Sequence, residues 1–232
     1  MLLFIIAILG RSKTERFIPI SSNLFLRNSS FLFNSQVTLK MPGNIITIPT
    51  LSTFRVFSIK NLYVYNNLEH FITNSKLLQD FKLNINSCRF SNFLESPISM
   101  MLYDKVNSSR SEYNESNSRL VFSDILFVNC SGYKEYGGAI SIIHCEYASF
   151  INCIFNNCSS LKSGGAVFIE KSVKVAFENV TFSSCYIGII PGAVSIEFGG
   201  AVCLSNVQYI TLDKLDFEDC YSSICGGGSL FV

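Results

Sequence analysis

A four-residue unit, Gly-Gly-Ala-(Ile/Val), recurs at Gly137, Gly164 and Gly199, with a degenerate copy at Gly227, at spacings of 27, 35 and 28 residues. A second unit, Phe-x-x-Cys, begins at Phe127, Phe155, Phe182 and Phe217. It precedes each Gly-Gly at a nearly constant offset, except where residues are inserted after Cys185. A period of this length means that one supersecondary unit is repeated, and such a unit cannot bury an apolar face by itself.

Aligning on Phe-x-x-Cys extends the repeat back to Phe90 and Val64 and gives six rows. Phe57, Leu83, Leu120, Ala148, Val175 and Ile210 form a first column. Ile59, Ile85, Phe122, Phe150, Phe177 and Leu212 form a second. The third is Leu62, Cys88, Ile125, Cys153, Val180 and Leu215, and the fourth is Val64, Phe90, Phe127, Phe155, Phe182 and Phe217. All 24 positions are apolar in a chain whose composition is 48% apolar. Columns one and two are two residues apart, as are columns three and four, which is the period of a strand with one buried face. Columns two and three are three apart, across mostly polar pairs such as Lys60-Asn61, Ser123-Asp124 and Glu178-Asn179, so the chain bends there. A third alternating strand follows each Gly-Gly, and residues 97–101 resemble residues 139–143 without the glycines.

These features predict an all-β chain of about six coils of ~27 residues, each with three short strands pairing with their counterparts ~4.8 Å away in the next coil. The fold class is thus a single-stranded parallel β-helix over residues 56–232, after a signal-like segment and linker over 1–20 and a cap or irregular first coil over 21–55. An α-helical solenoid needs apolar spacings of three and four, which the columns lack. A β-sandwich would leave the once-per-three-strands recurrence of the glycines unexplained.

The glycine pairs suit a tight corner, where positive φ and the lack of a side chain let coils stack closely. A phosphate-cradling loop would need a following helix N-terminus, and a strand follows instead. The Phe column reads as stacked core. Cys130, Cys158, Cys185 and Cys220 form a fifth column, headed by Asn67 and Phe93. Their Cβ separation of about 4.8 Å exceeds what a disulfide prefers, so most should be buried free thiols. On the third strand Ser141, Phe168, Cys203 and Phe231 should point outward as a narrow apolar stripe, either covered by residues 186–198 or open to a partner.

Lys plus Arg number 18 and Asp plus Glu 17, a net charge of +1 that gives no general reason to expect nucleic acid as a partner. The longest clean apolar run, Leu2–Leu9, is too short to span a bilayer. With Arg11, Lys13 and Arg16 behind it, the run reads as a secretory signal, or alternatively as an N-terminal strand of an intracellular chain. Six N-x-S/T sequons, at Asn28, Asn107, Asn114, Asn129, Asn157 and Asn179, lean toward an extracellular glycoprotein. His70 and His144 are the only histidines, and His144-Cys145 lacks partners at metal-ligand spacing. Asp213, Asp216, Glu218 and Asp219 cluster in the last row, with Asp216 and Glu218 about 6.6 Å apart on one strand face. That distance lies in the range for paired carboxylates in sugar hydrolysis, but Thr181 and Ser183 are the expected neighbours above them. No catalytic, cofactor-binding or metal-binding residue is assigned. Residues 103–119 form a polar insertion and 186–198 an apolar one, both placed to project as loops.

Phe-x-x-(Asn/Cys) followed by Gly-Gly-Ala-(Ile/Val), seen best in FNNCSSLKSGGAVFI from Phe155 to Ile169, resembles the repeats of the polymorphic outer-membrane protein family. The resemblance covers about Val121 to Val232 clearly and Val56 to Phe93 faintly. It implies a right-handed parallel β-helix exposed at a cell surface, acting in adhesion or host contact without catalytic residues. The expected function is therefore a non-enzymatic secreted or surface β-helix whose loops bind a carbohydrate or protein ligand. The alternative is a carbohydrate-active β-helix enzyme, a polysaccharide lyase or glycoside hydrolase, which should carry stacked carboxylates and a base in one groove. The strand ending at Val232 lacks a polar cap, so the reading expects a truncated stack that self-associates through its C-terminal edge.

Overall fold

The structure is a computed structural model that describes residues 31–34, 38–39, 46–48, 56–74, 81–102, 118–133, 136–188, 198–223 and 228–232. Every regular element among them is a β-strand, and all pairings are parallel. Strands occur in sets, and each set pairs with the next along the chain. The first strands are Phe31–Asn34, Val56–Lys60, Lys82–Asn86, Arg119–Ser123 and Tyr147–Ile151, continued by the first halves of Lys174–Ser183 and Tyr209–Glu218. The second strands are Thr38–Leu39, Tyr63–Asn67, Arg89–Phe93, Leu126–Gly132 and Ile154–Asn156, continued by the second halves of the same two long strands. Together with the short strands Ser159–Ser160, Tyr186–Ile187 and Tyr221–Ser222 they make one 15-stranded sheet. Third strands, from Ile46–Ile48 to Leu230–Phe231, make a separate 7-stranded sheet.

The register is that of the sequence columns. Phe57 pairs with Leu83, Leu83 with Leu120, Leu120 with Ala148, Ala148 with Val175, and Val175 with Ile210. Residues 98–101 pair with 140–143, so the glycine-free row carries the same strand. Columns one to four are buried from Phe57 through Phe182, as period-two alternation requires. Their aromatic members stack: the ring centroids of Phe127 and Phe155 are 4.9 Å apart, those of Phe155 and Phe182 4.9 Å, and those of Phe150 and Phe177 4.7 Å. Identical residues one strand apart have no choice of partner, so the offset-stacked geometry that aromatic pairs prefer is repeated at every level.

One expectation needs correction. Three strands per repeat is too few in the later rows, where Ser159–Ser160, Tyr186–Ile187 and Tyr221–Ser222 add a fourth short pairing that begins from Ser131 and Gly132. The chain stays extended for two residues after the Cys corner, and close stacking lets the ladder resume before the glycine turn.

Candidate functional site

The bends that aim the outer surface are built from residues at positive φ. Between first and second strands these are Asn61, Ser87, Asp124, Asn152, Asn179 and Lys214. One residue before the Cys column they are Asn66, Asn92, Asn129, Asn157, Ser184 and Asp219, and after the third strand His144, Lys171 and Asn206. Asparagine visits this left-handed region at low cost because its short polar side chain bonds locally. Backbone pairing is not interrupted there: Asn61 donates its N–H to Asn86 O, Ser87 to Ser123 O, and Asp124 to Ile151 O, at 3.0–3.1 Å. Side chains at these corners link successive levels. Asn92 Nδ2 donates to Asn66 Oδ1, Asn129 Nδ2 to Asn92 Oδ1, and Asn157 Nδ2 to Asn129 Oδ1, at 2.8–3.0 Å. A second series runs from Asn179 to Asn152 to Asp124, which also accepts from Asn86. The sequons at Asn129, Asn157 and Asn179 thus lie on corner residues whose side-chain amides are already engaged, while Asn28, Asn107 and Asn114 lie outside the described residues.

Both residues of each glycine pair are needed, for different reasons. Gly137, Gly164 and Gly199 have φ of +68°, +67° and +71°. Gly138 and Gly165 have no such angle, but a Cβ on Gly165 would meet the carbonyl oxygen of Gly200 at 2.0 Å. The degenerate copy at Gly227 lies outside the described residues.

All eight described cysteines are free thiols. In the fifth column the Sγ–H of Cys130 donates to Phe90 O, Cys158 to Phe127 O, Cys185 to Phe155 O and Cys220 to Phe182 O, at 3.4–3.9 Å. Each thiol therefore reaches back to the Phe carbonyl one row earlier, a recurring weak contact. Burial pushes the Cys158 thiol well above its ordinary value. At Cys185 the hydrogen bond with the Cys158 thiol is the largest upward cause, with burial adding to it. Burial raises Cys145 and Cys153 to about 12 and Cys88 to about 11. These thiols are poor nucleophiles, because the reactive form is the thiolate.

The acidic residues line the exposed side of the last long strand, Tyr209–Glu218, and the corner after it. Asp216 pairs with Thr181 and Glu218 with Ser183, as expected, whereas Asp213 pairs with Glu178, a carboxylate neighbour that the sequence reading missed. All four carboxylates, Glu178, Asp213, Asp216 and Glu218, are exposed, and Asp219 is the corner residue at φ 51°. His70 Nδ1 lies 2.7 Å from Ser96 O. His144 is a corner residue whose N–H donates to Glu170 O. Among the described residues, no group of three or more His, Cys, Asp or Glu is placed to hold a metal ion.

The stripe expected on the third strand is not open. Ser141 and Phe168 are 5% exposed and Cys203 2%. The Tyr136 ring stacks on Phe168 with centroids 4.4 Å apart, and Phe198 stacks on Phe231 at 4.2 Å. Tyr136 precedes the first glycine pair and Phe198 the third, so a residue entering one corner covers the third strand of the next row. The remainder of the apolar insertion, residues 189–197, lies outside the described residues, as do 103–117 and 1–30.

The first strand presents a different outer column. Lys82, Arg119, Tyr147, Lys174 and Tyr209 are successive partners in register. The Arg119 guanidinium carbon lies 4.6 Å from the Tyr147 ring centroid and Lys174 Nζ 5.9 Å from the same ring. Two residues further along each strand the side chains are short: Asn84, Val121, Ser149, Ala176 and Thr211.

No protein-family model, curated protein or solved structure matches this chain. Among the described residues no helix is long and apolar enough to cross a membrane.

Proposed function

We propose that this protein is a right-handed parallel β-helix, secreted or displayed at a cell surface, which acts by binding rather than by catalysis. The observation that carries this reading is the unbroken in-register pairing of like positions in successive repeats. Such pairing turns each outward position into a straight column along the stack, and a column suits a long surface ligand better than a small substrate. The inner columns are filled by Phe, Ile, Leu and thiols, so chemistry is confined to the outside. Adhesion at a cell surface, as in the repeats this chain resembles, is the role that fits. The N-x-S/T sequons and the signal-like apolar run Leu2–Leu9 support the same location. The test is antibody labelling of intact and permeabilised cells expressing the full chain with an internal epitope tag. Equal labelling of intact cells is expected, and labelling only after permeabilisation would overturn the surface reading.

One observation favours a second reading. Glu178 and Asp213 are paired on adjacent strands, and Asp216 and Glu218 lie further along the same strand. Carboxylates this close could serve as acid and nucleophile in glycoside cleavage. Incubation with a panel of polysaccharides, followed by assay of new reducing or unsaturated ends, decides between the readings. Activity abolished by Asp213→Asn would establish the enzyme.

A further inference from the structure

We infer that the outer column Lys82–Arg119–Tyr147–Lys174–Tyr209 is a binding site for a linear anionic polysaccharide with a charge on alternate sugars. The inference deepens the display reading, resting on it only for where the ligand is met. Three of the five positions are cationic and exposed, and they lie on one straight line set by the strand register. Tyr147 is central to the arrangement. Arg119 lies over its ring at 4.6 Å and Lys174 approaches at 5.9 Å. The ring's negative face attracts both cations, so neither long side chain is free to wander, and less entropy is lost when an anion arrives.

Spacing selects the ligand. Arg119 and Lys174 are two strands apart, about 9.6 Å. A linear polysaccharide advances roughly one strand spacing per sugar, so a carboxylate or sulfate on every second sugar meets both cations in step. Lys82, one strand beyond Arg119, adds positive charge at the end of the line without matching the alternate-sugar step. The adjacent short side chains of Asn84, Val121, Ser149, Ala176 and Thr211 leave a low floor on which sugar rings can lie. Opposing charges on the flanking residues are Glu146, which precedes Tyr147, Glu170, which is paired with Lys171, and Glu178 and Asp213, which stand four residues along the strands from the column, about 13 Å away. With Glu146 counted against Lys82, Arg119 and Lys174, the column keeps a formal excess of positive charge. Single-stranded nucleic acid fits less well, because it carries a phosphate at every step and needs open aromatic faces for its bases. Here the Tyr147 faces are turned to the two cations, and Tyr209 is the one exposed ring of the column.

The experiment uses the full chain on a column of immobilised hyaluronate, which has a carboxylate on every second sugar, eluted with rising salt. A matched neutral dextran column and competition by an oligo-dT strand complete it. Retention on hyaluronate but not on dextran is expected. Arg119→Gln and Lys174→Gln should each elute at lower salt, and Tyr147→Leu should do so without any change of net charge. Arg89→Gln, which removes one outward cation from the second strand, should elute with the unmodified chain. Near-ultraviolet circular dichroism verifies that each variant is folded. Absence of retention, equal shifts for Arg89→Gln and Arg119→Gln, or easier displacement by oligo-dT than by free hyaluronate would each overturn the site. Surface labelling of intact cells is read separately, so a failed column with positive labelling sinks this site and leaves the display reading standing.

Discussion

A Cβ placed on Gly138 would lie 2.2 Å from the carbonyl oxygen of Gly165, one repeat further on. The two corners are packed backbone against backbone, and no side chain in that contact can move aside. Gly165 is in the same position toward Gly200, at 2.0 Å, and toward Tyr186 O at 2.6 Å. Gly165→Ala should therefore cost about 3 kcal/mol or more, as overpacking against an unyielding neighbour. At Gly188 the nearest contact is a Leu161 side-chain methyl at 3.1 Å, and φ is not positive. Gly188→Ala should cost less than about 1 kcal/mol, since a flexible side chain can shift. Urea unfolding midpoints of the two variants provide the comparison.

Phe155 sits between Phe127 and Phe182 with both rings stacked on it, and is fully buried. Phe155→Ala leaves a hole whose walls are the rings of Phe127, Phe182 and Phe150, each held on its own paired strand. The expected loss is about 3–5 kcal/mol, with Phe155→Leu milder because more of the volume is retained. A loss under about 1 kcal/mol for the alanine variant would mean that the column does not face inward.

Asn152 combines a φ of 51° with two side-chain bonds, donating to Asp124 Oδ1 and accepting from Asn179 Nδ2. Alanine loses both bonds and takes on the left-handed backbone cost of about 1–2 kcal/mol, whereas glycine loses only the bonds. Asn152→Gly should thus be less destabilising than Asn152→Ala, the reverse of the usual order in a strand. Equal unfolding midpoints for the two would remove the corner from the account.

The buried thiols predict a pH dependence with a definite sign. Burial raises Cys153 in the folded chain from 9.0 to about 12, so between these values the unfolded chain releases a proton that the folded chain keeps. The stability that this thiol contributes is present in full below about pH 9 and is lost as pH rises toward 12, at about 1.4 kcal/mol per pH unit. Denaturant midpoints measured from pH 8 to 10.5 should fall less steeply for Cys153→Ala than for the unmodified chain. At pH 8 a thiol reagent should label the native protein slowly and the unfolded protein at once.

Much of the stack could be read from the residues, because its core repeats. Phe, Ile and Leu at fixed offsets give the inner columns, and the extra residue between columns two and three marks the bend that Asn152 and Asn179 occupy at positive φ. The outer surface was harder to read, since the outward residues share no repeated type on which rows can be aligned. The burial of Phe168 depends on Tyr136, thirty-two residues earlier and outside the aligned columns. The pairing of Glu178 with Asp213 and the Arg119–Tyr147–Lys174 contact follow from the same register that gives the core. They leave no mark in the pattern of the chain, because the outward residues change type from row to row, as in Lys82, Arg119, Tyr147, Lys174 and Tyr209.

Partners in register are separated by unequal lengths of chain: 26 residues from Val56 to Lys82, 37 from Lys82 to Arg119, 28 to Tyr147, 27 to Lys174 and 35 to Tyr209. The strands stay in phase regardless, because each row is reset at its left-handed corners and by the parallel pairing of its strands rather than by counting residues. Variation in length is absorbed between elements and is not passed to the next row. Two segments of this protein can therefore gain, lose or exchange residues under selection without any compensating change in the core, and the same two places would accept a grafted peptide.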